Sequence, residues 1–264
     1  MILGEDYQFL LDVEPQLAGE DEVGTSLRLL ERVLKAYPRA FEVVLADSLY
    51  AQARFINFLL GHRKHALIVM KQERRDLYQD ALGLFKAQQP VAGNHTTSQC
   101  QWWDEEGFSS WPGLLSKLRV VRSLETRLVR RQASTEIEKE ESEWVWVTTI
   151  GKPKNAKESV QTNLPKIEAT TSTVVKLGHA RWDIENQGFN QLVNSYEWDH
   201  VYKHDERAIE AFCLEAMLAV NLLLAFLRFN IKGGLRNLSK QCWGRILSAE
   251  IHIDLVGKVK RAPS

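Results

Sequence analysis

Three polar side chains in this sequence have types and positions that suit chemistry. Arg181 and Glu185 stand four residues apart in LGHARWDIENQGFNQLVN, residues 177–194. On a helix that spacing puts them on one face, with Ile184, Phe189, Leu192 and Val193 available for burial behind them. The third is Asp47, which follows the apolar run FEVVLA at 41–46. Such a run reads as a strand covered on both faces, and in open α/β sheets a site lies beyond the carboxyl ends of the strands. By spacing alone Arg181 and Glu185 make a solvated helix pair, and Asp47 is a good cap for a helix beginning near Ser48. Carboxylates also suit hard divalent cations, which prefer oxygen ligands, and clustered carboxylates repel one another unless such a cation is bound.

The surrounding residues favour the chemical reading. The run R-W-x-I-E-N-x-x-F-N from Arg181 to Asn190 resembles the signature around the last catalytic glutamate of bacterial insertion-sequence transposases of the DDE type. The segment VVLADSLYAQARFINFLLGHRKHALIVMKQERRDLYQDALGLF, residues 43–85, is similar to the family's stretch around its second catalytic aspartate. The resemblance covers roughly residues 10–230. It implies an α/β fold, an RNase H-like mixed sheet flanked by helices, with a β-rich insertion before the glutamate helix. It also implies metal-dependent cleavage and strand transfer at insertion-sequence ends, by phosphodiester hydrolysis and then attack of the freed 3′-hydroxyl on target DNA. In that pattern Asp47 and Glu185 are catalytic residues and ligands for Mg²⁺, with two ions about 3.5–4 Å apart in an intact site. Arg181 contacts a backbone phosphate or orients Glu185. The resemblance further implies DNA, as transposon ends and target, for the partner, and a homodimer as the expected assembly in a synaptic complex.

The chain departs from this pattern in three places. The first carboxylate of the family lies on a strand ahead of the stretch that residues 10–15 resemble, and from Met1 there is no room for it. Asp6 and Asp12 are the only early aspartates that could stand in for it, and Asp12, in LLDVEP, is read as structural. The chain is therefore expected to be the carboxyl-terminal part of a transposase, with little or no cleavage activity alone, or else a non-catalytic DNA-binding or dimerising fragment that regulates the intact enzyme. Many relatives also carry a tyrosine three residues before the arginine and a lysine seven after the glutamate, where this chain has Gly178 and Leu192. Both groups touch DNA in that pattern, and Asn186 and Asn190 are the polar residues available to replace them.

Composition bounds the rest. The formal net charge is zero, so any grip on nucleic acid must come from local basic patches. Cys100, Cys213 and Cys242 are isolated and contain no C-x-x-C pair, which argues against a disulfide framework and a zinc knuckle and fits a reducing cytosol. Glu5 and Asp6 occupy the place where an export signal would be positive. The most apolar run, 216–227, is short for a bilayer and contains Asn221, so it reads as a buried helix and the location as cytoplasmic.

These residues require positioning elements. A strand is expected at 7–13, a helix from a Thr25 cap to Tyr37, the strand ending at Asp47, a helix from Ser48 to about Leu60, a strand at 65–71 and a helix at 73–85. Residues 1–89 form the first part of the core. Residues 90–150, with Trp102, Trp103, Trp111, Trp144 and Trp146 and alternating stretches at 120–129 and 144–149, form the β-rich insertion. Residues 151–232 carry the glutamate helix, expected to start between Ala169 and Val174, and a long helix capped by Asp205 that packs on the sheet. Residues 233–264 are a tail with a short helix near 240–247.

Arg119, Arg122, Arg127, Arg130 and Arg131 are the densest basic group. Arg127, Arg130 and Arg131 are assigned to DNA, where they would hold phosphates. The same arginines can instead face water and pair across a hairpin with Glu136, Glu138, Glu140 and Glu141. His62 with His65, and His200 with His204, lack a further ligand at suitable spacing, so neither pair defines a metal site.

Overall fold

The computed structural model describes residues 1–4, 8–71, 75–130, 137–152, 168–196, 205–231 and 238–260. The chain divides into two units, one made of Met1–Val13 with Ile184–Ser264 and the other of Glu14–Asp183. In chain order the first unit opens with β1 (Ile2–Leu3) and β2 (Gln8–Phe9), an antiparallel pair. Of the strand expected at 7–13, Gln8 and Phe9 form β2, paired with β1.

The second unit begins with helix α1, Glu22–Ala36. Its cap is Asp21, whose Oδ1 accepts from the Gly24 backbone N–H at 2.8 Å, and not the expected Thr25. Thr25 lies inside the first turn, where its own N–H already bonds the Asp21 carbonyl. Strand β3 (Val43–Ala46) runs parallel to β4 (His65–Val69), with α2 (Ala53–Gly61) between them in the chain. Helix α3 is Asp76–Lys86. Four strands follow, β5 (Val91–His95), β6 (Ser98–Phe108), β7 (Leu118–Arg130) and β8 (Ile137–Thr148), as an antiparallel meander. They are continuous with the first two: the sheet has six strands in the order β3-β4-β8-β7-β6-β5, and β4 joins β8 antiparallel through Leu67↔Thr148 to Val69↔Trp146. The β6–β7 register shifts between Glu106 and Phe108, where Gly107 takes φ +92°, a conformation side-chain-bearing residues avoid.

Side-chain alternation along these strands builds two cores, since successive residues of a strand face opposite sides of the sheet. Ala66, Ile68, Val120, Val145 and Val147 face Val23, Phe55, Ile56, Leu59, Leu77 and Phe85 from α1, α2 and α3. Leu67, Val69, Val121 and Trp146 face the other way, onto Val174 and Val175 of α4 (Thr171–Ala180). Helices therefore cover both faces. At about 1.5–3 kcal/mol for each large apolar side chain buried, the two layers are the main stabilising term.

The glutamate helix is not the single regular helix expected. Helix α4 ends at Ala180, residues Ile184–Phe189 form a π-helical turn, and α5 resumes at Asn190–Tyr196. In the unit that holds this turn, α6 (Glu206–Phe229) starts at the expected cap, Asp205, whose Oδ1 accepts from the Ala208 N–H at 3.0 Å. Helix α7, Lys240–Lys260, is longer than the short helix expected there.

The expectation of a buried α6 is corrected. Met217 and Val220 are its buried residues, while Leu214, Leu218, Leu222 and Phe229 are exposed. Asn221 sits in the apolar run for a specific reason: its Oδ1 accepts from the Leu10 N–H at 2.9 Å and its Nδ2 donates to the Leu10 carbonyl at 2.7 Å. By length and composition α6 would suffice to cross a membrane, which for one such helix is weak support, because core helices pass the same test.

Candidate active site

Asp47 follows the last residue of β3, at the carboxyl end of the parallel pair, and is half-buried. Its Oδ1 accepts from the Leu49 N–H at 2.9 Å and caps a short 3₁₀ turn, Ser48–Tyr50. Helix α2 starts only at Ala53, after this turn. The capping role is thus real, and it leaves the second carboxylate oxygen outside that bond. Tyr50, the last residue of that turn, donates its hydroxyl to Glu22 Oε1 at 2.9 Å. Burial, then the Glu22 bond and the negative charges of Glu22 and Asp47, push the Tyr50 phenol well above its ordinary range. It stays a neutral donor beside these acids.

Glu185 lies in the π-helical turn and is half-buried, and Asn186 and Asn190 are exposed. A π turn inserts one residue into a helix and is common at functional positions. Of the apolar residues expected behind Glu185, Leu192 is buried, while Phe189 and Val193 are exposed. Arg181, the residue after α4, is buried at 8% exposure with its guanidinium 4.8 Å above the Trp182 ring.

The structure also accounts for two departures from the family pattern. Gly178 packs against the indole of Trp146, which is fully buried, so a tyrosine at 178 has no space. Leu192 lines a small apolar cavity with Met1, Phe9, Leu10, Val220 and Leu224, where a lysine would bury an unpaired charge.

The arginine group separates into distinct roles. Arg119 is 2% exposed and forms a two-pronged pair with Asp104, Nε to Oδ1 at 2.8 Å and Nη2 to Oδ2 at 2.7 Å. Its Nη1 donates to the carbonyls of Gly151 and Ala169, and Asp104 Oδ2 also accepts from Thr171 Oγ1 at 2.6 Å. This cluster anchors the start of α4. Arg122 pairs with Glu143, and Arg127 pairs across the hairpin with Glu140 at 2.8 Å, with both Arg127 and Glu140 more than half exposed. Exposed pairs of this kind contribute little and are readily exchanged for other partners. The side chain of Arg130, all of Arg131, and His200 and His204 lie outside the described residues.

A second polar cluster had no signal in the spacing of the sequence. His179 Nε2 donates to Glu125 Oε1 at 2.8 Å, and Ser123 Oγ donates to the same oxygen at 2.9 Å. Its members come from α4 and β7, 54 residues apart, so only strand register and helix packing bring them together.

Among the described residues no group of three or more His, Cys, Asp or Glu side chains is placed to hold a metal ion. Asp47 and Glu185 have the oxygen donors that a hard cation takes, but they belong to separate units.

A six-stranded mixed sheet covered by helices on both faces is consistent with an RNase H-like fold of the DDE class. Comparison with protein families matches the transposase DDE domain over residues 16–222, and the chain belongs to that family. Its members are insertion-sequence transposases, which act on DNA and generally use divalent metal ions. No curated protein matches the chain.

Proposed function

We propose that this chain is the part of an insertion-sequence transposase that supplies the second and third catalytic carboxylates, Asp47 and Glu185, for cleavage and strand transfer at transposon ends. The observation that carries this reading is the family match over residues 16–222, a span that contains both Asp47 and Glu185. Mg²⁺ is the cation proposed for these carboxylates. Arg181, Asn186 and Asn190 are the proposed strand contacts near the cut. Arg127, Arg130 and Arg131 are proposed to hold phosphates further along the duplex. Each step is an in-line displacement at phosphorus, and the protein's part in it is to hold the phosphate and the attacking oxygen in line.

The resemblance implies the second and third carboxylates, Asp47 and Glu185, and offers no residue for the first, so the polypeptide alone is proposed to have little or no strand-cleaving activity. The test is incubation of the purified chain with duplex DNA carrying the insertion-sequence ends, with and without Mg²⁺. The expected result is binding that weakens steeply with salt and no nicking above background. Robust Mg²⁺-dependent nicking, lost in Asp47→Ala or Glu185→Ala, would overturn the inactivity and retain the transposase reading. Absence of any salt-dependent binding would overturn the DNA reading for this chain.

One observation favours a second reading, a fragment that associates with and regulates intact transposase. Leu214, Leu218 and Leu222 recur every four residues on α6 and are exposed. A chain that stays monomeric at high concentration in sedimentation experiments excludes self-association through this stripe.

A further inference from the structure

The cluster around His179 plays no part in the chemistry above, and its geometry is that of a device acting on α4. His179 is the penultimate residue of that helix, and its carbonyl accepts the Arg181 N–H that closes the last turn. Its ring is held on every side. Nε2 donates to Glu125, which is 5% exposed on β7, and the ring of His95 on β5 lies parallel to it with centroids 4.3 Å apart. Trp144 and Trp146 of β8 meet the ring edge-on at 5.1 and 5.3 Å.

We propose that Glu125, His179 and His95 form an acid-sensitive latch that fixes the last turn of α4, and with it the entry to the segment carrying Arg181 and Glu185. The carboxylate of Glu125 accepts two hydrogen bonds, from His179 and Ser123, and holds the imidazole in one orientation at neutral pH. His95 has its ring face against that same imidazole. When His95 gains a proton, the new charge is opposed by His179 at stacking distance, and β5 and α4 are driven apart.

The remaining groups around the ring do not compete with this role. On β6 the nearest titratable group is Cys100, buried and neutral, its thiol pushed up by burial and by the Glu125 charge. Strand β4 presents Leu67 and Val69 to α4, and β8 presents its two tryptophans. Asp104 and Arg119 lie at the other end of the helix. Burial, and then the charge of His179, hold the His95 imidazole below its ordinary value of 6.5, with Glu125 opposing them. Burial raises the Glu125 carboxyl, but the bond and charge of His179 outweigh it, so the net direction is down. For His95 the unfolded chain binds the proton more tightly than the folded one. Its stabilising effect is therefore full above 6.5 and lost as pH falls from there towards the depressed folded value.

The latch is a property of Glu14–Asp183 and does not depend on the transposase reading; its test uses no DNA. Amide hydrogen exchange is measured on the intact chain at about pH 7.5 and about pH 5, corrected for intrinsic rates, comparing wild type with His95→Phe and Glu125→Gln. In the wild type the amides of the last turn of α4 are expected to lose roughly tenfold in protection at the lower pH while the β6–β7 amides do not. His95→Phe keeps the ring stack, removes the titrating nitrogen, and should retain protection at both values. Glu125→Gln keeps an acceptor without the charge and should lower protection already at neutral pH. Equal protection of the wild type at both pH values overturns the latch, as does a pH response in His95→Phe as large as the wild type's.

Discussion

Replacing Gly178 by alanine tests the packing of α4 on the sheet. In an exposed helix interior this substitution stabilises by about 1 kcal/mol, because glycine has the greater backbone freedom to lose. Here an added Cβ would lie 2.5 Å from Cε2 and 2.9 Å from Cδ1 of the Trp146 indole. Real carbon contacts are not that short, so the helix or the ring must move. The indole is rigid, 0% exposed and seated between Leu67, Val69, Val121, Val174 and Val175, so neither has room. Overpacking of a tight core costs about 1–3 kcal/mol, and this rigid contact belongs at the upper end. Against the propensity gain, the net expectation is a loss of about 2 kcal/mol, or about 4–8 °C in Tm for a unit of this size. Urea and thermal unfolding of Gly178→Ala measure it. The same substitution in a Trp146→Phe background should cost less, since the narrower ring relieves the contact and the two changes are not additive. Gly178→Ala as stable as wild type would refute the close approach of α4 to Trp146.

Other consequences follow from the buried and paired charges. Arg119→Met should destabilise by about 3–5 kcal/mol, because it leaves Asp104 buried beside Thr171 without its counter-charge; adding Asp104→Leu should recover part of that loss in urea unfolding, and no recovery would show that the bonds to Gly151 and Ala169 dominate. The hydrogen bonds of Arg28, opposed by desolvation and helped by Thr25, hold the Glu20 carboxyl down to about 2. A carboxyl with a depressed folded pKa contributes stability above its ordinary value of 4.5, and that contribution is lost as pH falls towards about 2. Arg28→Ala should therefore flatten the fall of the urea midpoint across that window, and an unchanged slope would count against the pair. Arg127→Ala should change stability by less than about 0.5 kcal/mol, as expected for an exposed pair, while weakening duplex binding at low salt if the ribbon meets phosphate.

Much of the fold was legible because it rests on local signals. The Val43–Ala46 and His65–Val69 runs are apolar on both faces, as strands between two helical layers must be, and Asp205 caps α6 where the sequence placed it. The strands β7 and β8 of the meander were legible from the alternating stretches at 120–129 and 144–149. Less legible were the features in which two local signals compete. Asp21 and Thr25 are both good caps, and the earlier one is used because Gly24 offers its N–H to it. The run around Glu185 has helical periodicity, but periodicity does not distinguish a π turn from a regular one.

The sequence by itself determined the family, through Asp47, Arg181 and Glu185 in their runs, and the types of most elements, since those depend on residues within a few positions of one another. Only the tertiary structure decided that the meander continues the same sheet as β3 and β4, and that Arg119 is a buried anchor while Arg127 stays on the surface. It also brought His95, Glu125 and His179 together. Each of these is a matter of strand register and of which face a helix covers, and residue spacing along the chain does not encode contacts between elements as far apart as Glu125 and His179.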